Sequence, residues 1–213
     1  MTDRHARLRI ENLAALMERR AGVARVIMGI AGEPGAGKST LAEALVTRLN
    51  RDAADRAVVL PMDGYHLDDA VLEARGLRAR KGAPETFDVA GLAHMLRRLR
   101  SNEEAEIAVP IFDRDLEIAR AGARIISSGV RHVVVEGNYL LLDLPPWSAL
   151  RPLFDLTVMV CVPEDELRQR LIARWRSYHL PEAVVMQKVE GNDLPNGRLV
   201  REHSAPADVR MEV

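Results

Sequence analysis

Short apolar runs alternate with amphipathic stretches along most of the chain. Apolar runs typical of buried strands occur at residues 25–31, 57–60, 131–135, 156–162 and 209–213. Between them, hydrophobic residues at helical spacing predict helices at residues 10–20, 38–50, 89–100, 165–178 and 181–190. Strands separated by helices favour a parallel sheet that is covered on both faces.

The segment 106–127 breaks this alternation. Apolar residues at 107–112 and 123–126 flank a charged turn region, which predicts a β-hairpin or a pair of edge strands. The sequence has no internal repeat, no low-complexity tract and no long linker. We therefore expect a single α/β domain over residues 1–213.

Composition narrows the class of protein. Hydrophobic residues make up 47% of the 213 positions and charged residues 29%, which is ordinary for a globular domain and excludes a disordered chain. The 30 basic and 31 acidic residues nearly cancel, so a broad basic surface for nucleic acid is excluded and any anion site must be local. The sequence lacks a long apolar run and a secretory signal pattern, so we expect a cytoplasmic protein with no membrane partner.

Two rare residue types carry further information. The single cysteine, Cys161, excludes an internal disulfide and a cysteine-based zinc site, and its apolar neighbours predict a buried core thiol. Lysine occurs only at Lys38, Lys81 and Lys188, beside 27 arginines. A chain that prefers arginine so strongly is expected to keep lysine where a compact ammonium is needed, with chance retention as the alternative.

Residues 32–39 match the phosphate-binding pattern Gly-x-x-x-x-Gly-Lys-Ser/Thr in full, between a predicted strand and a predicted helix. Glycines let backbone N–H groups surround phosphate oxygens, and the helix N-terminus adds a positive dipole end. Lys38 is expected to reach the β- and γ-phosphates, and the Ser39 hydroxyl to ligate Mg²⁺. The predicted nucleotide-binding residues are Gly32, Glu33, Pro34, Gly35, Ala36, Gly37, Lys38, Ser39 and Thr40. The motif specifies a nucleoside triphosphate but no reaction.

Two carboxylates end predicted strands near this loop. Asp63 follows the second strand, where it can accept the proton of an attacking hydroxyl, with a plain Asp-Gly turn as the alternative. Glu136 ends the run Val-Val-Val-Glu-Gly and can hold Mg²⁺ directly or through water. A strand that happens to end in Glu-Gly is the alternative for this residue.

The predicted helix at 165–178 carries four arginines. Arg170 and Arg174 share one face, so both guanidinium groups can bind the oxygens of a transferred phosphoryl group. A solvated charged face is the alternative, and we expect it for the other two arginines. The turn-rich stretch 192–197 predicts a loop before the last strand, and a contact of Asn192 or Asp193 with adenine stays open.

The segment after Asp63 leads into Arg-Lys-Gly-Ala-Pro-Glu-Thr-Phe-Asp at residues 80–88. Together with the phosphate-binding loop and the Asp-Gly-Tyr signature, this series resembles the family of type I pantothenate kinases, uridine kinases and phosphoribulokinases. The resemblance is close over residues 25–88 and looser over 106–213. It implies a three-layer P-loop NTPase fold with a five-stranded parallel core, a β-hairpin near the acceptor and a helical lid at about residues 165–190. It also implies ATP and Mg²⁺ as cofactors.

The resemblance further implies roles for matching residues. Asp63 corresponds to the general base, and Asp88 to the carboxylate that holds acceptor hydroxyls. Arg80 and Lys81 correspond to positions near the acceptor, although a solvated pair on a loop is an alternative. His66 is a candidate for the acceptor pocket, with a structural histidine nearly as well supported. The implied catalytic set is Asp63, Lys38, Arg170 and Arg174.

The hairpin departs from the family pattern. Phe112 stands where the relatives carry a tyrosine, and no histidine follows before His132, which weakens a uridine assignment. The chain also lacks the extensions of type I pantothenate kinases. Its length and its 80–88 series are more similar to bacterial kinases labelled as fructose-transport-system or sugar kinases.

We therefore expect an ATP-dependent kinase that phosphorylates a hydroxyl of a small polar metabolite, sugar-like or nucleoside. Uridine or pantothenate kinase activity proper is one alternative, and a P-loop NTPase that acts as a regulatory switch is another. The pair Asp63 and Asp88 favours the kinase, because a switch has no need of an acceptor pocket. We expect no nucleic-acid partner, and a homodimer stays open.

Overall fold

The computed structural model describes residues 2–20 and 25–212. A five-stranded parallel sheet is formed by β1 (Val26–Gly32), β2 (Ala57–Pro61), β5 (His132–Glu136), β6 (Leu156–Cys161) and β7 (Val209–Glu212). The strand order is β2-β5-β1-β6-β7. A separate antiparallel hairpin is formed by β3 (Glu106–Asp113) and β4 (Ile118–Ser127). The α/β class, the parallel core and the hairpin are as predicted.

Seven α-helices accompany the sheet in the described part of the chain. They are α1 (Thr2–Arg20), α2 (Lys38–Leu49), α3 (Asp69–Ala74), α4 (Val89–Ser101), α5 (Glu164–Arg176), α6 (Glu182–Lys188) and α7 (Leu194–His203). One apolar cluster joins α1 and α2 to one face of the sheet, and another joins α4, α7 and the hairpin to the opposite face. The central strands β1 and β5 are buried along their whole length, because both faces are covered.

A buried arginine fixes the start of the central strand. Arg25 precedes β1 and is almost inaccessible to solvent. Its Nε donates to the carbonyl of Val130 at 2.9 Å, Nη1 to that of Leu99 at 2.9 Å and Nη2 to that of Ser127 at 2.8 Å. These carbonyls belong to the last turn of α4, to the last residue of β4 and to the segment between β4 and β5. One side chain therefore holds these three parts of the chain against the amino end of the sheet.

The predicted loop at 192–197 is wrong. A π-helical turn (Val189–Asp193) follows α6 and runs directly into α7, so the helical conformation continues through this stretch. Leu194, Asn196 and Gly197 are buried against the rest of the protein. Burial of this face overrides the turn-forming tendency of the Asn, Pro and Gly residues, and proline is tolerated in a first helical turn.

Smaller differences occur elsewhere. The first helix begins at residue 2 rather than 10, and the short helix α3 follows the second strand without having been predicted. Cys161 is half-buried beside a cavity rather than in the core, so that prediction is wrong. The last strand is described to Glu212, and the predicted end at Val213 lies outside the described residues. Within the described ranges, every helix is too short or too polar to cross a membrane.

Candidate active site

A cleft of about 640 Å³ opens at the carboxyl ends of β1, β2 and β5. Its walls are the phosphate-binding loop, the turn after β2, the 78–82 loop, the hairpin tip and the helical segment, by which we mean residues 164–203 with α5, α6 and α7. Ligands of open parallel sheets bind at this edge, where the strand order changes direction. The cleft is therefore the candidate active site.

The phosphate-binding loop has the backbone that its sequence predicts. Gly35 and Gly37 have φ angles of +80° and +89°, in the left-handed region that favours glycine. Gly37 is the N-cap of α2, so the free N–H groups of the first turn open towards the cleft. Of the nine predicted nucleotide-binding residues, the ones that line the cleft are Pro34, Gly35, Gly37, Lys38, Ser39 and Thr40. Ala36 is buried and Glu33 faces away from the cleft.

Lys38, Ser39 and Glu136 form a compact polar group at the base of the cleft. The Lys38 ammonium is buried and donates to the carbonyl oxygen of Glu33 at 3.0 Å. Burial lowers the pKa of Lys38, while the nearby Glu136 carboxylate opposes this change. Burial raises the pKa of Glu136, opposed by Lys38 and by a hydrogen bond from the Ser39 side chain. A cation and an anion therefore share a poorly solvated site.

The Ser39 hydroxyl and the Glu136 carboxylate are the residues that could hold a metal. Both offer hard oxygen ligands, as Mg²⁺ prefers, and Mg²⁺ is commonly bound by one or two protein oxygens together with substrate phosphates. In the part of the chain that is described, histidine, cysteine, aspartate and glutamate do not form a group of three that could bind a metal by themselves. The residues fit a magnesium ion that is shared with phosphates.

Two glycines allow close packing around the turn that carries Asp63. Asp63 lies in a 3₁₀ turn (Met62–Tyr65) directly after β2. A Cβ atom on Gly64 would lie 2.6 Å from the carbonyl oxygen of Pro110, so the hairpin backbone packs directly on this turn. A Cβ atom on Gly137 would lie 2.4 Å from Cβ of Met62. The glycines that follow both acidic residues thus allow the ends of β2, β5 and the hairpin to approach each other closely.

Arg114 is the main cleft residue to which the sequence assigned no role. Its Nη2 lies 3.0 Å from Oδ2 of Asp63, whose side chain is 28% exposed. Arg114 comes from the hairpin turn, which is distant from Asp63 in the sequence. The sequence signal was only a charged residue in the predicted turn, which does not reveal what it contacts. In the structure it supplies a positive charge at the carboxylate that was predicted to be the general base.

His66 lies in an aromatic wall of the cleft. Its ring centroid is 4.1 Å from that of Phe87 and 4.6 Å from that of Phe112. Nδ1 is 2.8 Å from the carbonyl oxygen of Asp63, which can only accept, so Nδ1 carries the proton and Nε2 of the neutral ring is an acceptor. Burial lowers the pKa of His66, which favours this neutral form. Phe112 contributes a ring face here rather than a hydroxyl.

Lys81 lines the cleft, but its ammonium is already engaged. Nζ lies 2.6 Å from Oδ1 of Asp69 and 2.5 Å from the carbonyl oxygen of Glu117, and it sits over the Phe112 ring at 5.4 Å. Arg78 also pairs with Asp69, at 2.8 Å. Lys81 therefore ties the 78–82 loop to α3 and to the hairpin tip.

Two of the predicted acceptor residues lie outside the cleft. Asp88 is exposed and is the N-cap of α4, where its Oδ1 accepts a hydrogen bond from the backbone N–H of Gly91 at 2.8 Å. Arg80 pairs with Glu85 at 3.2 Å on the protein surface. Helix capping and a surface ion pair engage these two side chains, so their placement does not support the prediction that Asp88 and Arg80 bind the acceptor.

The predicted arginines of the helical segment do face the cleft. Arg170 Nη1 lies 3.5 Å from the carbonyl oxygen of Gly35, and Nη2 lies 2.5 Å from Oε1 of Glu166. Arg174 also lines the cleft, and its charge contributes to the lowered pKa of Lys38. Both guanidinium groups are therefore brought to the phosphate-binding loop.

The rest of the helical segment approaches the 78–82 loop. Asn192 Nδ2 donates to the carbonyl oxygen of Lys81 at 3.2 Å. Trp175 Nε1 donates to Asp193 Oδ2 at 2.6 Å, and the ammonium of Lys188 lies 4.3 Å from the Trp175 ring. These residues line the same cleft, and no pattern in the sequence indicated Trp175 there.

Comparison with family models gives one partial match. The family described as methylmalonyl Co-A mutase-associated GTPase MeaB matches residues 2–65. This span contains the phosphate-binding loop and ends just after Asp63, before the 78–82 loop, the hairpin and the helical segment. It supports a nucleotide-binding P-loop and covers too little of the chain to show the family.

Comparison with individual proteins extends over most of the chain. The chain is 35% identical to "Uncharacterized protein YggC" of Escherichia coli (strain K12) over 190 residues, which are 89% of this chain and 78% of that protein. It is 30% identical to "Putative uridine kinase C227.14" of Schizosaccharomyces pombe over 195 residues, covering 88% and 83% of the two chains. It is also 33% identical to a pantothenate kinase of Leifsonia xyli over 159 residues, but spans only 48% of that kinase's length.

A solved structure resembles the whole molecule. The crystal structure of a "putative fructose transport system kinase" from Silicibacter sp. TM1040 superposes with a TM-score of 0.85 at 38% identity. The superposition covers 93% of this chain and 98% of that one, so it includes the hairpin and the helical segment as well as the sheet.

Proposed function

Because the chain belongs to the P-loop kinases of the uridine kinase, pantothenate kinase and phosphoribulokinase type, we propose that it transfers the γ-phosphoryl group of ATP to a hydroxyl of a small polar metabolite. The observation that carries this proposal is the position of Asp63. Its carboxylate shares one cleft with Lys38 and Glu136 and pairs with Arg114 from the hairpin. A hydroxyl that donates to Asp63 would lie beside bound phosphates.

In this proposal Asp63 orients the acceptor hydroxyl and takes its proton as the phosphoryl group is transferred. Arg114 pairs with this carboxylate and limits the directions in which it can point. His66 Nε2, an acceptor in the neutral ring, is available to a second hydroxyl of the same molecule. Two acceptor groups in one cleft suit a metabolite with more than one hydroxyl, such as a sugar, a polyol or a ribose.

Lys38, Arg170 and Arg174 stabilise the negative charge that develops on the transferred group. Ser39 and Glu136 would hold Mg²⁺, which when bound neutralises charge on the phosphates. We propose that the helical segment acts as the lid over the nucleotide and that the whole chain, residues 1–213, is one kinase domain. The lid then extends over residues 164–203, further than the 165–190 expected from the sequence.

Two observations bear on which metabolite is the acceptor. The names of the similar proteins point to uridine, pantothenate and a substrate of fructose transport as candidate acceptors. Phe112 offers no hydroxyl to a nucleobase and packs on His66 instead, which favours a sugar-like acceptor over a pyrimidine nucleoside.

A phosphorylation assay over a panel of acceptors tests the proposal. The purified protein is incubated with MgATP and separately with fructose, other sugars and polyols, uridine and pantothenate, and both ADP and the phosphorylated product are measured. Product formed with one acceptor, and lost in the Asp63→Asn variant, supports the proposal. ADP release that is the same with and without every acceptor contradicts it.

A regulatory NTPase is the second candidate, and the partial match to a GTPase family is the observation that favours it. A switch of this kind hydrolyses nucleotide without an acceptor and binds a protein partner in one nucleotide state. Measuring GTP and ATP hydrolysis in the absence of acceptor separates the two functions. A preference for GTP together with acceptor-independent turnover would favour the switch.

A further inference from the structure

Arg201 lies outside the cleft and joins three segments that form it. Its Nη2 lies 2.7 Å from Oε1 of Glu33, in the phosphate-binding loop, and its Nη1 lies 3.2 Å from Oε2 of Glu164. Glu164 is the first residue of α5, and Arg201 itself is in the last turn of α7. One guanidinium therefore connects the loop to both ends of the helical segment.

The Glu33 side chain is only 6% exposed, and part of its surroundings is open. One neighbour is Gly197, which presents no side chain to it. Beside it lies a second cavity of about 470 Å³, whose wall also includes Cys161 and Ser204. The Ser204 hydroxyl oxygen is buried without a hydrogen-bond partner among the described residues. Among the described residues, Arg201 is the one that forms an ion pair with the Glu33 carboxylate, at 2.7 Å.

Glu33 in turn positions the phosphate-binding lysine. Its backbone carbonyl accepts the hydrogen bond from the Lys38 ammonium. On the other side of Arg201, Glu164 begins the helix that carries Arg170, whose guanidinium reaches the carbonyl of Gly35. A displacement of Arg201 would therefore change the positions of both Lys38 and Arg170.

We propose that Arg201 is a positioning residue that couples the helical segment to the phosphate-binding loop. It does not line the cleft that would hold the nucleotide, and it acts through Glu33 and Glu164. Its role is to bring the lid arginines and the loop lysine to the same phosphates. This inference rests on the proposed function, since it concerns the binding of MgATP to that site.

Arg198 provides a matched control on the same helix. Its Nη2 lies 2.9 Å from Oε1 of Glu164, so it reinforces the contact between α7 and α5. In the described part of the chain it has no ion pair with Glu33. Arg198→Ala thus removes an exposed cation and one helix-to-helix contact, but leaves the link to the phosphate-binding loop intact.

The test measures MgATP affinity by calorimetry and follows tryptophan emission. Trp175 in the helical segment lines the cleft, whereas the second tryptophan, Trp147, is buried in the core. We expect Arg201→Ala to raise the Kd for MgATP about tenfold and to abolish most of the nucleotide-induced change in emission. Arg198→Ala should stay within about twofold of wild type, as is usual for exposed pairs. Arg201→Lys should restore part of the affinity, since it keeps a charge that can reach one carboxylate.

The thermal midpoint of each variant is measured alongside, to establish that all of them fold. If Arg201→Ala folds and binds MgATP as tightly as wild type with the same change in emission, the inference is overturned while the proposed function stands. The same holds if Arg198→Ala and Arg201→Ala weaken binding equally, because the link to Glu33 would then be irrelevant. A wild-type protein that binds no MgATP would overturn the proposed function itself.

Discussion

The two ends of the cleft are built in different ways. At the phosphate end, backbone N–H groups of a loop between β1 and α2 surround the site, and Lys38 and Glu136 are buried beneath it. At the other end, the groups that face the cleft come from short turns and a hairpin. They are held by partly exposed ion pairs such as that of Arg114 with Asp63.

This difference separates the end of the cleft that any acceptor would share from the end that would depend on the acceptor. Under the proposed function, backbone groups and a buried lysine recognise phosphate whatever the acceptor is, so this end needs no change when the substrate changes. The opposite end depends on side chains from elements that are not part of the sheet. We infer that acceptor choice is determined there, and the predictions below compare the two ends.

The largest effect is expected at the acceptor end. Asp63→Asn keeps the shape of the side chain and removes the base, so kcat should fall about 10²–10⁴-fold, the usual contribution of a general base. The Kd for MgATP should change little. Steady-state kinetics with the identified acceptor and calorimetry with MgATP provide the two measurements. If binding weakens and kcat is retained, Asp63 belongs to the phosphate end instead.

A loss of about 10²–10³-fold in kcat is expected for Lys38→Ala, comparable to removal of one group that stabilises the transition state. The ammonium lies in the cleft and is poorly solvated, so its removal should not destabilise the fold. Circular dichroism and the thermal midpoint check that point. Unchanged turnover in a folded variant would contradict the role of this lysine.

Asp88 and Asp63 were both candidates for the acceptor pocket, and only one of them should affect catalysis. Asp88→Ala should lower the free energy of unfolding by about 1 kcal/mol through loss of the α4 cap, with kcat and acceptor KM unchanged. Asp88→Asn should be nearly neutral because asparagine is as good an N-cap. Urea unfolding and steady-state kinetics separate the two roles. A raised acceptor KM at unchanged stability would instead indicate that Asp88 binds the acceptor.

The smallest effect concerns two histidines, the half-buried His66 in the cleft and the buried His132 at the start of β5. Burial lowers the pKa of both, so below about pH 6.5 the unfolded chain binds protons that the folded chain does not. Stability from these groups is therefore lost as the pH falls. Urea midpoints of wild type should decline relative to His132→Gln between pH 7 and 5. Parallel midpoints for the two proteins would contradict this expectation.

The phosphate end could be read from the sequence because its signals are local. A strand, eight consecutive motif residues and a helix suffice, and the left-handed φ angles of Gly35 and Gly37 follow from the motif. The same holds for the strands and for the hairpin, whose patterns lie within each segment. The placement of Arg170 and Arg174 on one face also needed only helical periodicity.

The acceptor end could be read only in part, because its contacts join distant segments. Arg114 and Asp63 are 51 positions apart in the sequence, and no local pattern around either residue indicates that they pair. Asp88 carries the local signal of a helix cap, and that simpler role is the one it has in the structure. For residues 192–197, turn-forming composition was outweighed by burial, which single-residue preferences do not contain.

The order of the strands sets the distance between the phosphate-binding loop and Asp63. Lys38 follows β1, Glu136 ends β5 and Asp63 follows β2, and these three strands are neighbours in the sheet. Since adjacent strands lie about 4.8 Å apart, the sheet separates the loop from the proposed base by roughly two strand spacings, or about 10 Å. Surface loops can be exchanged without altering this interval. Engineering of a new acceptor range should therefore replace the hairpin tip and the 78–82 loop and leave the strand ends untouched.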